Sequence, residues 1–304
     1  MIINQAGWSR YKKSQINLIE NNSHSELKEN LKKFDFLIPS GNFRSYGDSA
    51  LYQNVLSTLK LNKIIFFDDL KGIIKTQSGV TLKEIIKLIV PKGWFLKVTP
   101  GTKYVTVGGA LASDIHGKEH HKAGCFSDCI DYFEILMADG VVYKCSKSTN
   151  KEIFQATCGG MGLTGIITEV QFNLKKINSA FLDQEVNISN NLKDTLDLFD
   201  QKKDVNYSVA WLDCIKRKNN NFRSIFYSAA FSNNKNYNLK FNKTKKIFSL
   251  IKFNLINNFT INFFNKFFYI KHILFKKKSM VSLDNFFYPL DKLEDWNLFY
   301  GENG

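Results

Sequence analysis

The chain has 304 residues, 44% of them hydrophobic, enough for a sizeable core and about two domains. No apolar run reaches the roughly 18 residues of a membrane-spanning helix, and the opening MIINQAGWSRYKK lacks the apolar stretch of a secretory signal. The net charge of +14 is uneven: ten lysines and no acidic residue fall between Lys240 and Lys278, so the basicity belongs to one segment and not to a nucleic-acid-binding face.

The five cysteines, odd in number and scattered, fit a reducing compartment. Cys125 and Cys129 are four apart, but no second pair completes a zinc site. A cytoplasmic location is expected, with peripheral contact at a membrane left open by the basic segment.

In chain order, GWSRY is followed by a polar helical stretch over Ser25–Lys33 and a short strand over Phe36–Pro39. A loop, Ser40–Asp48, comes next. Val55–Leu59, Ile64–Phe67 and Ile73–Thr76 are β-branched or aromatic runs of strand length. Thr81–Val90 reads as an amphipathic helix with Leu82, Ile85, Ile86 and Ile89 on one face, ended by Pro91 and Gly93. Ile130–Met137 and Val141–Cys145 flank Ala138-Asp139-Gly140, a hairpin signal. A short helix over Asn150–Thr157 and a strand over Ile166–Leu174 follow. Strands and helices mix without βαβ regularity, so residues 1–176 are expected to form an α+β domain.

From residue 177 the pattern changes. Ala180–Ile188, Val205–Asp213 and Phe222–Phe231 read as strands, with a helix near Asn191–Phe199, which predicts an antiparallel sheet with helices on one face in a second domain, 177–304. Within it, residues 233–279 form an insertion dominated by Lys, Asn, Phe and Ile. Phe248, Ile251, Leu255, Phe259, Phe263, Phe267, Ile270 and Leu274 recur there at helical spacing. Two readings stand: a basic amphipathic segment on an anionic membrane, or a poorly ordered insertion whose composition reflects AT-rich coding. The closing NFFYPLDKLEDWNLFYGENG places Phe286, Phe287, Tyr288, Leu290, Trp296 and Phe299 to pack and shows no closing strand.

Three glycine-bearing loops carry the functional signal: PSGNFRSYGDS (Pro39–Ser49), TPGTKYVTVGGALASDIHGKEHHK (Thr99–Lys122) and CGGMGLTGII (Cys158–Ile167). Glycine lets a backbone approach a ligand closely, and successive N–H groups can cradle a pyrophosphate. The competing reading of Thr99–Lys122 is a tight turn into a small-residue helix packed against a neighbour. Gly160–Gly165 matches G-x-G-x-x-G, but a helix precedes it and a strand follows, the reverse of the Rossmann order, so that fingerprint is rejected. His116 and His120 stand four apart without a third ligand, so no metal is expected.

These motifs, with AGWSRY near the start and FYPLDKLEDWN near the end, resemble the FAD-containing oxidase subunits of decaprenylphosphoryl-β-D-ribose 2′-epimerases, within the vanillyl-alcohol-oxidase/p-cresol-methylhydroxylase (PCMH) flavoprotein superfamily. The resemblance implies a PCMH-type FAD-binding domain and an α+β substrate domain. In the first loop, Pro39, Ser40, Gly41, Asn42, Phe43, Arg44, Ser45, Tyr46, Gly47, Asp48 and Ser49 would hold the diphosphate and the isoalloxazine edge. Tyr46 either packs on the flavin or fills the loop. In the second, Gly101, Thr106, Val107, Gly108 and Gly109, then Ser113, Asp114, Ile115 and His116, would run along the same cofactor. Gly165 and Ile167 would close its adenine side. His116 would be the active-site histidine, and Lys118 would contact the substrate phosphate. Relatives with covalent flavin carry a histidine near the position of Ser45; Pro39–Ser49 has none, so non-covalent FAD is expected.

The implied reaction oxidises the C2 hydroxyl of a polyprenyl-phosphoryl pentose to a ketone, the first half of a 2-epimerisation, with a short-chain NAD(P)H-dependent reductase as partner. Family members continue past the point matched by Gly304, supplying a lysine and a cysteine beside the flavin. A downstream segment or separate chain completing the substrate domain is therefore expected. Two other functions stay open: a flavin oxidoreductase for a soluble sugar, alditol or aldonolactone, and an inactive fragment with a binding or assembly role.

Overall fold

The computed structural model describes residues 1–10, 13–21, 23–218, 221–246, 256–275 and 277–294, with 296 and 299. Phe248, Ile251 and Leu255 lie outside the described residues. The described residues divide into two compact units: Met1–Gly117 with Gly124–Lys176, and Lys118–Ala123 with those between Ile177 and Gly301.

Among the described residues the first unit holds two main sheets. One has the order β1 (Ile2–Ala6), β2 (Lys13–Glu20), β4 (Asn54–Ser57), β3 (Ile38–Ser40). β1 and β2 pair antiparallel, and β4 runs parallel to both β2 and β3. The hairpin β1–β2 is absent from the sequence reading, because its residues alternate poorly: Asn4, Gln5, Ser14 and Gln15 interrupt the apolar positions. α1 (His24–Lys33), capped by Ser23, follows and buries Leu27 against Leu56 and Leu61.

The other sheet is antiparallel, ordered β5 (Ile64–Asp68), β6 (Ile73–Gln77), β10 (Ile166–Lys176), β8 (Ile130–Leu136), β9 (Val142–Cys145), with β7 (Trp94–Leu96) also pairing with β10. β10 is its spine. Val170, Phe172 and Leu174 alternate into the core, and Phe172 packs on Phe126 with ring centroids 5.4 Å apart. α2 (Leu82–Ile89) starts at a reciprocal cap, in which Thr81 N–H donates to Glu84 Oε2 (2.8 Å) and Glu84 N–H to Thr81 Oγ1 (3.3 Å). Its Leu82, Ile85, Ile86 and Ile89 are fully buried, the face read from the sequence. α3 (Val107–Ala112), α4 (His120–Ala123) and α5 (Lys151–Thr157) complete the elements up to β10, α4 lying in the second unit.

The segment Ser78–Val80, between β6 and α2, joins these parts. Ser78 N–H donates to Thr168 O of β10 (2.9 Å), Gly79 N–H to Leu61 O after β4 (2.8 Å), and Val80 O accepts from Val107 N–H of α3 (2.8 Å). A Cβ on Gly79 would stand 2.1 Å from Thr58 O and 2.9 Å from Leu61 O.

The second unit is an antiparallel sheet ordered β12 (Tyr207–Lys218), β13 (Asn221–Phe231), β11 (Phe181–Ser189), β15 (Lys278–Ser282). α6 (Leu192–Gln201) and α7 (Asn258–Leu274) pack on it, and α8 (Leu283–Phe287) follows β15. A two-residue strand β14 (Lys245–Lys246) pairs with β16 (Leu293–Glu294), where no strand was expected. α4 belongs here through its flanks: Ser208 N–H donates to Lys118 O (2.9 Å) and Lys122 Nζ to Asp204 O (2.5 Å). The expected first domain, 1–176, thus lacks residues 118–123 as a compact unit. The long insertion is helical only in part. Residues 233–244 form no helix, and α7 begins at Asn258, after Asn257, whose side chain accepts from the N–H groups of Phe259 and Thr260.

Gly79→Ala forces backbone at Thr58 or Leu61 to move, and is expected to destabilise the protein by about 1–3 kcal/mol, read as a lowered midpoint in urea unfolding.

Candidate functional site

The first unit brings the three glycine loops together. β3 delivers Ser40 into the first. Thr58 holds the Ser40 carbonyl with both its N–H (2.9 Å) and its hydroxyl (3.2 Å). Asn42 Nδ2 donates to Tyr104 O in the second loop (2.9 Å), and a Cβ on Gly41 would lie 2.3 Å from Thr106 Oγ1. Only glycine allows that approach without displacing the hydroxyl that caps α3. The third loop docks on the far end of α3: Gly159 N–H donates to Leu111 O (3.3 Å) and Met161 N–H to Ala112 O (2.8 Å). It also reaches the first loop, since a Cβ on Gly162 would come within 3.4 Å of Pro39.

The N-terminal AGWSRY acquires a role that the sequence did not disclose. Trp8 N–H donates to Ser45 O (2.7 Å), and the Arg44 guanidinium lies 4.1 Å over the Trp8 ring and 5.7 Å from the Tyr104 ring. Stacking between two aromatic rings fixes the plane of the guanidinium and so the direction of its donors. A tryptophan a few residues from the chain start was the one available signal.

The expectation of an N–H cradle along the second loop changes in detail. Val107 N–H donates to Val80 O (2.8 Å), Gly108 N–H to Ser78 O (2.8 Å) and Gly109 N–H to Thr106 Oγ1 (3.2 Å). These amides are spent inside the chain. Gly108 is there for packing: its Cβ would fall 2.8 Å from that of Ser78. Residues 107–112 thus take the form of the second reading, a small-residue helix packed against a neighbouring segment. Open space lies elsewhere. A Cβ on Gly47 or Gly101 would meet nothing within 4 Å, and the buried hydroxyls of Ser40 and Ser78 have no hydrogen-bond partner among the described residues. Buried polar atoms left unmatched cost about 1–3 kcal/mol each, so the hydroxyls of Ser40 and Ser78 suit contact with a polar ligand.

Downstream of α3, Asp114 takes a left-handed backbone (φ 40°) and its carboxylate is pinned by Ser127, from N–H (2.8 Å) and Oγ (3.0 Å). Ile115 O accepts from Phe126 N–H (2.8 Å). These bonds fix the chain immediately before His116, which is exposed. Gly165 also has positive φ (155°), with Leu136 O 2.7 Å from where its Cβ would be, while Ile167 is buried in β10.

Lys118 sits in the second unit. Its Nζ donates to Phe287 O (3.1 Å), 5.3 Å from the ring centroid of Phe286 and 5.7 Å from that of Phe287. Burial pushes its pKa down to about 8, against the opposing pull of the Glu119 carboxylate. Tyr207, whose ring meets Phe287 edge-on at 4.9 Å, is held well above the usual tyrosine range by burial and by Glu119. The aromatic run at 286–288 was read as packing material; its role around a lysine was not legible. His121 Nε2 bonds Val205 O (2.9 Å), and His120 is exposed. Cys129 is a buried thiol pushed up to about 12 by burial.

Comparison with known proteins adds to this geometry. Residues 28–146 match a family of FAD binding domains. The chain is 31% identical over 284 residues to decaprenylphosphoryl-β-D-ribose oxidase of Mycolicibacterium smegmatis, a match spanning 88% of this chain and 61% of that protein. It is 30% identical over 121 residues to D-lactate dehydrogenase of Anaerostipes hadrus, covering 38% of this chain and 26% of that protein. To D-2-hydroxyglutarate dehydrogenase of Rattus norvegicus it is 28% identical over 138 residues, covering 42% and 26%. The chain therefore spans about three fifths of the first relative's length and about a quarter of the other two.

The Lys118 environment has a pH signature. Between about 8 and 10.5 the unfolded chain binds the Lys118 proton and the folded chain does not, so folded stability gains as pH rises through that window. Lys118→Met is expected to remove this gain, seen as the difference between wild-type and variant urea midpoints across the same pH range.

Proposed function

We propose that the chain is a flavoprotein built on the FAD binding domain matched over residues 28–146, and that it oxidises the C2 hydroxyl of a polyprenyl-phosphoryl pentose to a ketone. The match to the Mycolicibacterium oxidase carries this reading. At 88% of the chain it must extend into the second unit, whereas the matches to the two hydroxy-acid dehydrogenases are too short to span both units. Matched over only 121 and 138 residues, those dehydrogenases leave the substrate class to the longer match.

FAD, when bound, supplies the hydride acceptor for oxidation of a C–H bond next to a hydroxyl. The chain's own residues do the rest. In this proposal the loop Pro39–Ser49 and the turn at Gly101 hold the dinucleotide without a covalent bond, with Ser40 and Ser78 supplying hydroxyls that otherwise go unmatched. Arg44, fixed on Trp8, directs its donors to the diphosphate. His116, placed by the Asp114–Ser127 bonds, takes the hydroxyl proton, since a neutral imidazole nitrogen is a proton acceptor. Lys118 meets the substrate phosphate, whose negative charge would favour the ammonium form and raise the pKa that burial lowers. A ketone at C2 needs a hydride donor to become the epimer, so the reaction is paired with a nicotinamide-dependent reductase working at the same membrane face.

The test is anaerobic mixing of the FAD-loaded protein with a polyprenyl-phosphoryl pentose. Bleaching of the flavin absorbance is expected, slowed about 10²–10⁴-fold by His116→Ala if the imidazole is the base. Bleaching by an aldonolactone or alditol, and none by the lipid-linked sugar, would transfer the chain to soluble substrates.

A further inference from the structure

α7 is turned inside out with respect to an ordinary surface helix. Such a helix buries its apolar stripe and exposes its polar one. In α7 the stripe Phe259, Phe263, Phe267, Ile270 and Leu274, at i, i+4, i+8, i+11 and i+15, faces solvent. Those five side chains are 81%, 69%, 64%, 40% and 76% exposed. The opposite face meets the sheet through polar and aromatic groups. Asn265 Nδ2 donates to Asp213 Oδ1 (2.8 Å), Tyr269 OH to Asn190 Oδ1 (2.9 Å), and the His272 ring bonds the Tyr227 hydroxyl (2.9 Å). Arg223, paired with Asp213 at 2.7 Å, lies 4.3 Å over the Tyr269 ring. These bonds specify the orientation: rolling the helix to bury its phenylalanines would break the bonds that Asn265, Tyr269 and His272 make to Asp213, Asn190 and Tyr227.

A row of exposed phenylalanines is a binding surface unless something covers it. Charge decides what fits. Lys266 and Lys271 are exposed on α7 itself, and Lys277 and Lys278 are exposed just past its end. From Asn233 to Leu283 the sequence contains no aspartate or glutamate. A second copy of this chain docked on the same face would set lysines against lysines. We propose that the outer face of α7 docks on an anionic lipid bilayer, with the phenylalanines in the acyl boundary and the flanking lysines at the headgroups. The helix would lie in the interface plane; no described helix is long and apolar enough to cross a membrane. The inference stands on α7 and its neighbours alone and does not need the substrate assignment.

The test is flotation of the full-length, FAD-loaded protein with phosphatidylcholine vesicles, with and without about 30% phosphatidylglycerol. The wild-type chain is expected to float with the anionic vesicles at least ~10-fold better than with the neutral ones, and less well in high salt. Phe263→Glu/Phe267→Glu, at two largely exposed side chains, is expected to lower that binding at least ~10-fold while leaving bound FAD unchanged. Absence of flotation, equal flotation with both vesicle types, or undiminished flotation of the double variant would overturn the proposal. So would a dimer that the double variant dissociates in the absence of vesicles, which would assign the face to a second copy. Since none of these readouts involves substrate oxidation, failure here is separate from failure of the proposed reaction.

Discussion

The three-residue junction Ser78–Gly79–Val80 is the constraint on which the first unit depends. Its amides and carbonyls reach β10, the turn after β4, and the first residues of α3. All of these are backbone bonds at close range, and they require a residue without a Cβ at 79, where Thr58 O approaches to 2.1 Å of the Cβ position. Because Thr58 also holds the Ser40 carbonyl, the same junction fixes where the first glycine loop leaves β3. The ligand loops are thereby attached to two sheets at once. Preorganisation of this kind lowers the entropic cost of closing loops around a long cofactor.

Glycine serves two separate purposes in the site. At 41, 79 and 108 it lets chain pack against chain, and at 47 and 101 it leaves backbone facing open space. A sequence shows these as the same letter. The distinction changes the account of the second loop, since the amides of residues 107–109 are already bonded within the protein. Side chains then remain for a cofactor to meet, among them the unmatched hydroxyls of Ser40, the last residue of β3, and Ser78, the first of the junction.

Much of the fold was legible because local signals and tertiary demands agree. Ile64–Asp68 and Ile73–Gln77 follow from their β-branched runs, and α2 from its apolar spacing and the stop at Pro91 and Gly93. The antiparallel sheet of the second unit was likewise foreseen. What escaped was non-local. The β1–β2 hairpin has weak alternation and is held by pairing with β4. The Ser78–Val80 junction works through backbone groups, which carry no side-chain signature. The packing of Arg44 on Trp8 joins residues far apart in the chain. In α7 the periodicity of the phenylalanines was visible, but a period does not say which side faces the sheet; Asp213 of β12 and Asn190, just past the end of β11, decide that.

The central claim is that these loops hold FAD, and hold it without a covalent bond. The most direct measurement is the visible absorbance of the purified chain before and after acid precipitation. The account predicts an oxidised-flavin spectrum that passes entirely into the supernatant. A colourless protein that takes up no added FAD would contradict the assignment of the loops, and colour remaining with the pellet would contradict the non-covalent attachment.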